Sequence, residues 1–336
     1  AYDQVALGVV ISRVSTQSTV DRRLPFNLPL AAVLPLVPLT LLPLDLAFRT
    51  WQLVSLALLL LALVALTRSY PLGRRSLALA ALGCLASVPA WSVLTEAQLT
   101  PLLVLGGALV LADLRFNAAS VAFGGGLLLA VKPHFLPVYM VILLAARHWR
   151  SLLAASSGAA VMLLSPLAAG GPVALDAMVR NAINTNGLVP LRLTEAWIGL
   201  LSTVLPAAAV TVVSLGLYLG VLLLLSLGAF RLRGAVIVPF AALALSIGML
   251  ASPHVLPHDL LLLLPPAWLG FWLYREERAP SPLLALILVD LALLVDLRGV
   301  GLVLGPIAMT SALAWAVWNF RRRADPPRAL DKPAAA

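Results

Sequence analysis

Charged residues and cysteine are scarce in this sequence, and each shortage excludes a class of protein. Of the 336 residues, 11% are charged and 61% are hydrophobic. A soluble domain carries about 25% charged and about 45–50% apolar residues, so a soluble fold of this length could not bury so much apolar surface. A bilayer removes this difficulty, because apolar segments of about 20 residues can face lipid directly.

The single cysteine, Cys84, stands inside an apolar run, which excludes an intrachain disulfide framework. A cleavable signal peptide is also missing, because the first 28 residues include five charged residues and no apolar core segment. The net charge of +9 would suit a nucleic-acid-binding protein, but the positive residues stand between apolar segments, as they do in cytoplasmic loops of membrane proteins. We therefore expect membrane lipids, and no nucleic acid, as partners.

Eleven apolar segments are the main feature that the sequence does contain. They cover residues 50–66, 76–93, 99–113, 118–131, 135–147, 151–169, 204–226, 235–250, 259–274, 282–296 and 300–319. Segment 24–45 is also apolar, but its five prolines would break a regular helix, and we expect an irregular or re-entrant element against the bundle. The predicted fold class is all-α, a polytopic transmembrane helical bundle of about eleven spans.

Positive charges are divided unequally between alternate loops. The richer set is Arg68, Arg74, Arg75, Arg115, Arg147, Arg150, Arg231, Arg233, Arg275, Arg278 and the basic segment from Arg321 onward. The positive-inside rule assigns this set to the cytoplasm of a cell-membrane protein. We expect residues 1–323 to form one transmembrane domain and 324–336 a disordered cytoplasmic tail. An odd number of spans would place residue 1 outside, so we also expect a further helix before it, which gives twelve.

Ionisable residues at membrane depth are costly, so each is a candidate functional residue. Lys132 stands between two apolar runs; it either extends its charged end to the interface or binds a phosphate at a helix end. Asp290, within span 282–296, is a candidate buried carboxylate. The spans otherwise carry almost no charge, which argues against an ion-coupled pump. Gly124–Gly126 lacks the Lys-Ser/Thr of a phosphate-binding loop, so its expected role is close helix packing.

His254, His258 and Asp259 form the densest polar group on the predicted exterior side. Two histidines four residues apart could hold a metal on a helix, but Pro257 interrupts the spacing and no HExxH pattern accompanies them. No metal or other cofactor is therefore predicted, although a divalent ion stays open. Hydrogen bonds to a phosphate or a sugar hydroxyl are the alternative, as is capping of the following span by Asp259.

Two further exterior segments carry polar residues. Glu96 and Gln98 lie in a tight turn between spans, where they serve either the turn itself or an exterior cavity. The long segment 170–203 contains Arg180 and Asn186, and its length suggests a short amphipathic helix or a lid.

Three stretches of the chain resemble glycosyltransferase family 87, polyprenyl-phosphate-dependent mannosyltransferases of the GT-C superfamily. The first stretch is Phe26 to Pro29 with the proline-rich run to Pro43 and then Trp51. The second runs from Ala97-Gln98 through Arg115, Gly124–Gly126 and Lys132-Pro133 to the cluster Arg147 to Arg150. The third is Ser252-Pro253-His254 followed by His258. The chain departs from the family pattern at Leu28-Pro29, where the family has Tyr-Pro-Pro, and at Ala97, where it has glycine.

The resemblance implies a GT-C-like fold and hexosyl transfer on the exterior face of the membrane. The implied donor is a polyprenyl-phosphate sugar, with mannose as the expected hexose, and the implied acceptor is a glycolipid or envelope glycan. Such enzymes carry a catalytic Asp in the first exterior loop, a little upstream of a Tyr-Asp like Tyr2-Asp3. The base is therefore expected before residue 1, and neither Asp3 nor Asp21 is assigned to it.

The chemistry of this transfer suggests roles for the candidate residues. A lipid phosphate that leaves needs cations or hydrogen-bond donors, and the candidates for that task are Lys132, His254 and His258. The candidates for sugar or acceptor contacts are Gln98, Glu96, Asn186 and Arg180. Two alternatives stay open: a lipid or sugar transporter, which would show a polar pathway at mid-membrane, and an envelope polysaccharide ligase or polymerase, which Arg180 and Arg192 would suit.

Overall fold

The computed structural model describes residues 28–185, 196–202, 204–231 and 237–277, and these ranges contain helices, turns and loops but no strand. The α-helices are α1 (Leu30–Val33), α2 (Leu44–Ser69), α3 (Arg74–Ala86), α4 (Val88–Thr95), α5 (Thr100–Phe116), α6 (Ala119–Leu129), α7 (Leu136–Ala146), α8 (Trp149–Thr185), α9 (Ala196–Leu201), α10 (Ala207–Arg231), α11 (Ile237–Ala251) and α12 (Leu264–Glu277). Three 3-10 helices cover Leu34–Leu41, Pro133–Phe135 and Pro257–Leu263. The all-helical prediction is confirmed for these residues.

Three of the described helices, α2, α8 and α10, are long and apolar enough to cross a membrane. Their mean hydropathy ranges from 1.8 to 2.4, and most of each helix is not buried by the rest of the chain. The predicted count of eleven spans is not confirmed by these helices. Spans 282–296 and 300–319, with Asp290 and the predicted tail, lie outside the described residues.

The proline-rich segment before α2 has the irregular form that the sequence predicts. A short α1 turns directly into the 3-10 helix Leu34–Leu41, which contains Pro38, and α2 begins only after Pro43. Proline lacks a backbone N–H and fixes φ, so this density of prolines prevents a continuous α-helix. The backbone N–H of Ala31 donates to Ser165 Oγ at 2.9 Å, which ties the segment to α8.

One boundary differs from the sequence prediction. Segment 76–93 is not one continuous helix, because the chain breaks into α3 and α4 at Ser87, whose extended backbone and side chain cap α4 just before Pro89. In segment 170–203, where a short amphipathic helix or a lid was predicted, the second part of α8 runs to Thr185 after a kink at Gly170 and Gly171. Gly171 has φ 64, a left-handed conformation that favours glycine and permits the kink.

Glycines bring α5, α6 and α8 into close contact. A Cβ atom at Gly126 would overlap the backbone of Ala155 on α8, and one at Gly158 would overlap the backbone of Phe123 on α6. Gly125 is similarly close to Gly106 on α5, where a Cβ would lie 2.9 Å from the Gly106 carbonyl oxygen. The predicted packing role of Gly124–Gly126 is thus confirmed for its last two members.

Hydrogen bonds connect the described loops to one another at two ends of the bundle. At one end, which we name the opposite face, Tyr70 Oη donates to the Leu111 carbonyl at 3.0 Å and Trp268 Nε1 donates to the Tyr70 carbonyl at 2.9 Å. There Asp113 also accepts from Ser151 Oγ at 2.9 Å. The turn at 96–99, the reversal at 132–135 and the loop at 252–259 meet elsewhere, at what we name the site face. This division agrees with the alternation predicted from the arginines.

Candidate functional site

The turn after α4 presents Glu96 at the site face. The backbone N–H of Glu96 donates to the Ser92 carbonyl at 2.9 Å, and Ala97 reverses the chain with a left-handed φ of 53 before α5 begins. Ser92 Oγ donates to Glu96 Oε1 at 2.7 Å, and Gln98 Nε2 donates to Glu96 Oε2 at 3.4 Å. The hydrogen bonds within the turn orient the Glu96 carboxylate toward the loop that carries His258, whereas its predicted role at an exterior cavity stays a prediction.

Lys132 stands at the reversal between α6 and α7. It has an extended backbone (φ −125, ψ 89), as the residue before a proline usually does, and the 3-10 helix Pro133–Phe135 follows it. The reversal directs its side chain into the protein, where only 15% of it stays exposed. The structure therefore does not support the alternative of a lysine extended to the interface.

Asp259 is the counterion of Lys132. Its Oδ1 accepts from Lys132 Nζ at 2.5 Å and from Thr100 Oγ1 at 3.2 Å, while Oδ2 accepts from the backbone N–H of Leu256 at 3.2 Å. Asp259 has no exposed surface. The carboxylate therefore both caps the 3-10 helix Pro257–Leu263, as predicted, and neutralises a cation that is 127 residues away in the sequence.

His258 connects Lys132 to Glu96. Lys132 Nζ donates to His258 Nε2 at 3.2 Å, which leaves Nδ1 as the protonated nitrogen that donates to Glu96 Oε2 at 3.1 Å. Burial lowers the pKa of His258, and the ammonium of Lys132 adds to this effect, although Asp259 and Glu96 oppose it. Glu96, Lys132, His258 and Asp259, named here the Lys132 cluster, thus form one hydrogen-bonded chain with a neutral imidazole at its centre.

Part of the predicted site comes together in this cluster. Lys132, His258 and Glu96 are members, and Gln98 contacts Glu96. His254 lies beside it, with its ring centroid 6.0 Å from that of His134. Arg180 instead pairs with Asp176 at 2.7 Å on the exposed surface of α8. Asn186 and Arg192 lie outside the described residues.

Thr100 and the pairing role of Asp259 were missed by sequence reasoning. Asp259 was noted as a helix cap, but its partner lies on a different helix connection and no local pattern indicates it. Among the described residues no group of three or more His, Cys, Asp or Glu has an arrangement that could hold a metal ion.

Apolar helices of membrane-spanning length, with a buried ion pair where their connections meet, define an integral membrane protein with a polar site at one end. A family model for glycosyltransferase family 87 matches residues 26–257, which is more than half of the chain. The chain therefore belongs to glycosyltransferase family 87, as its three sequence stretches suggested. No curated protein and no solved structure matches it significantly.

Proposed function

We propose that this glycosyltransferase moves a hexose, with mannose as the first candidate, from a polyprenyl-phosphate sugar to a glycolipid or envelope glycan. The reaction would take place on the exterior face of the cell membrane, with the C-terminus in the cytoplasm. Family membership supports the transfer of a sugar. The observation that supports the phosphate donor is the Lys132 cluster, which holds a cation where the apolar helices end.

The proposed reaction needs a base on one side of the sugar and a stabilised leaving group on the other. A hydroxyl oxygen of the acceptor attacks C1 of the hexose and loses its proton to a carboxylate base. The bond from C1 to the phosphate oxygen breaks, and the polyprenyl phosphate leaves with the electron pair and one more negative charge. Lys132 is proposed to stabilise this charge directly, and His258 to position the ammonium of Lys132. The base stays unassigned.

The hydrogen bonds of the cluster leave room for this role. A lysine ammonium has three N–H donors, and Lys132 uses one on Asp259 and one on His258, so one is left for a phosphate oxygen. Asp259 keeps Lys132 from being an unpaired buried charge when no donor is bound. His258 accepts from Lys132 and donates to Glu96, so it has no proton free for the phosphate and serves to hold the ammonium of Lys132 in place.

Transfer of label tests the proposal directly. Membranes that contain the protein are incubated with radiolabelled polyprenyl-phosphate mannose, and the lipid and glycan fractions are counted. The double variant Lys132→Met/Asp259→Asn should lower transfer by about 100-fold or more, since it removes the phosphate ligand without stranding a buried charge. Arg75→Met, which removes an exposed cation from the opposite face, is the matched control.

Three outcomes separate the candidate functions. Label in a glycolipid or glycan, lost in the double variant and retained in the control, supports the proposal. Transfer of a whole oligosaccharide from a lipid carrier, without transfer of single hexoses, would instead favour a ligase or polymerase. Movement of labelled lipid across the bilayer with no new glycosidic bond would overturn the proposal and favour a transporter.

A further inference from the structure

The imidazole of His134 is a polar group beside the Lys132 cluster that the proposed reaction does not use. It follows Lys132 by two residues, in the 3-10 helix Pro133–Phe135. Its Nε2 atom is enclosed by protein and has no hydrogen-bond partner among the described residues. A buried polar atom without a partner costs free energy, so it indicates a ligand that the chain itself does not provide.

Contacts from several elements fix the orientation of this ring. The ring packs against Phe135, with centroids 4.1 Å apart, and meets His254 nearly at right angles at 6.0 Å. The ring also forms a hydrogen bond to the backbone of His254. Tyr218 Oη on α10 donates to the backbone carbonyl of His134. His134 is therefore held in one orientation. The missing partner of Nε2 is a feature of that orientation.

The protonation state of His134 decides what it can bind. Burial lowers its pKa to about 3, with Lys132 and His254 adding to the effect and Asp259 opposing it, so the imidazole is neutral near pH 7. We assign the ring proton to the nitrogen on the side of the His254 backbone, which leaves Nε2 as a bare acceptor. An acceptor cannot pair with an oxygen of a phosphodiester, which has no proton to give. It can pair with a hydroxyl group.

We propose that His134 Nε2 accepts a hydrogen bond from a hydroxyl group of the donor hexose and so determines which sugar is transferred. This inference rests on the proposed function and extends it. The hexose is bonded directly to the phosphate, and His134 is two residues from Lys132, the proposed phosphate ligand.

A second polar atom without a partner lies in the adjoining loop. Ser252 is buried, and its Oγ makes no hydrogen bond within the described part of the chain. Ser252 precedes by two residues His254, whose backbone and ring contact His134. Ser252 Oγ is thus a second buried polar atom without a partner among the described residues, in the loop that contacts His134.

Donors that lack single hydroxyl groups test the inference. For wild type, kcat/KM is measured with the intact polyprenyl-phosphate hexose and with a series of singly deoxygenated donors. We expect kcat/KM to be about 10- to 100-fold lower for one deoxy donor, because that donor lacks the hydroxyl group that pairs with Nε2. In His134→Phe, which keeps an aromatic ring against Phe135 and His254, the intact donor and that deoxy donor should be used equally well. His134→Gln, which keeps an acceptor, should restore part of the preference.

The outcomes distinguish this inference from the proposed function. If wild type transfers the hexose but His134→Phe discriminates among the deoxy donors as wild type does, the inference is overturned and the proposed function stands. If no deoxy donor is more than about twofold poorer with wild type, the inference is also overturned, whether or not the variant folds. Failure of wild type to transfer any hexose overturns both. Thermal unfolding in detergent confirms that the variants are folded.

Discussion

Lys132 and Asp259 depend on each other because both are removed from water. A lone charge in a protein interior is destabilising, whereas the pair, joined at 2.5 Å, leaves no net charge between them. The hydroxyl of Thr100 and the backbone N–H of Leu256 satisfy further lone pairs of the carboxylate. The site is thus stabilised by the same contact that positions its cation.

The first prediction concerns this pair. Lys132→Met alone should lower the free energy of unfolding by about 3–5 kcal/mol, because it leaves Asp259 buried without a counterion. Lys132→Met/Asp259→Asn should recover most of that loss, although it should not recover transfer. Chemical unfolding in detergent measures both variants beside Arg75→Met. Equal destabilisation by the single and the double variant would contradict the pairing.

The second prediction concerns the pH dependence of stability. Burial holds the pKa of His258 below its ordinary value of 6.5, so the unfolded chain binds a proton at this residue before the folded chain does. The contribution of His258 should be complete above about pH 6.5 and should decline as the pH falls below it. His258→Gln should make the decline between about pH 6.5 and 5 less steep. Unchanged steepness in that variant would argue against a neutral, buried His258.

Sequence reasoning identified the members of the Lys132 cluster more readily than their contacts. Lys132, His258 and Glu96 stood out as polar residues at the ends of apolar segments, where each charge is costly and therefore informative. Their association depends on packing between α4, α6 and the loop before α12, and no periodicity encodes that packing. For the same reason Asp259 was identified as a cap but not as a counterion.

At the scale of the elements, the turn after α4 explains one departure from the family. Ala97 adopts a φ of 53, where a side chain is strained, and glycine is the residue that the resemblance leads one to expect there. A glycine at this position would adopt the same φ without strain.

A third prediction follows from this turn. Ala97→Gly should stabilise the protein by about 0.5–1 kcal/mol, because relief of the left-handed strain exceeds the added entropy of the unfolded chain. Ala97→Val should destabilise it, since a β-branched side chain tolerates positive φ least. Thermal unfolding of the two variants checks the opposite signs. Shifts in the same direction would show that side-chain packing, and not the backbone, decides this position.

A fourth prediction concerns the contact of α6 with α8. Gly126→Ala should destabilise the protein by about 1–3 kcal/mol, because the added methyl group would overlap the backbone of Ala155. Gly216→Ala on α10 is a matched control, since nothing lies within 4 Å of the added atom. The comparison uses unfolding of both variants in the same detergent. If Gly216→Ala lowered stability as much as Gly126→Ala does, the effect would come from replacing glycine by alanine in a helix and not from the contact with Ala155.

Element boundaries were predicted well where composition changes sharply and less well elsewhere. Most predicted spans match a described helix to within several residues, because a switch from apolar to polar residues marks their ends. The break at Ser87 falls inside an apolar run, and only Pro89 signals it. Predicted span 151–169 ends where the backbone of α8 departs from helical geometry at Gly170 and Gly171, because paired glycines before a proline do mark a break.

At the scale of the whole molecule, the described loops are divided between two faces, and this division reflects the topology of the chain. The hydrogen bonds around Tyr70 and Asp113 join parts of the chain that the arginine pattern assigns to the same side. Charge alternation therefore predicted which connections lie together, although it could not predict the contacts between them.

The fifth prediction tests which face is outside. Gln98→Cys should react with a membrane-impermeant thiol reagent in intact cells, whereas Asn117→Cys should react only after the membrane is opened. Both are made in a Cys84→Ala background, because Cys84 is the single native cysteine. Labelling of Asn117→Cys in intact cells would reverse the proposed orientation.

The contact between Tyr218 and the backbone of His134 joins a lipid-facing helix to the candidate site. Helix α10 has 25 residues, so it is about 37 Å long and exceeds the hydrocarbon thickness of a typical bilayer, about 30 Å. Such a helix adjusts to the bilayer by tilting, and the tilt changes with the length of the surrounding acyl chains. Because Tyr218 lies on α10, a change of tilt would shift the backbone of His134, and the proposed sugar contact would then depend on the thickness of the membrane.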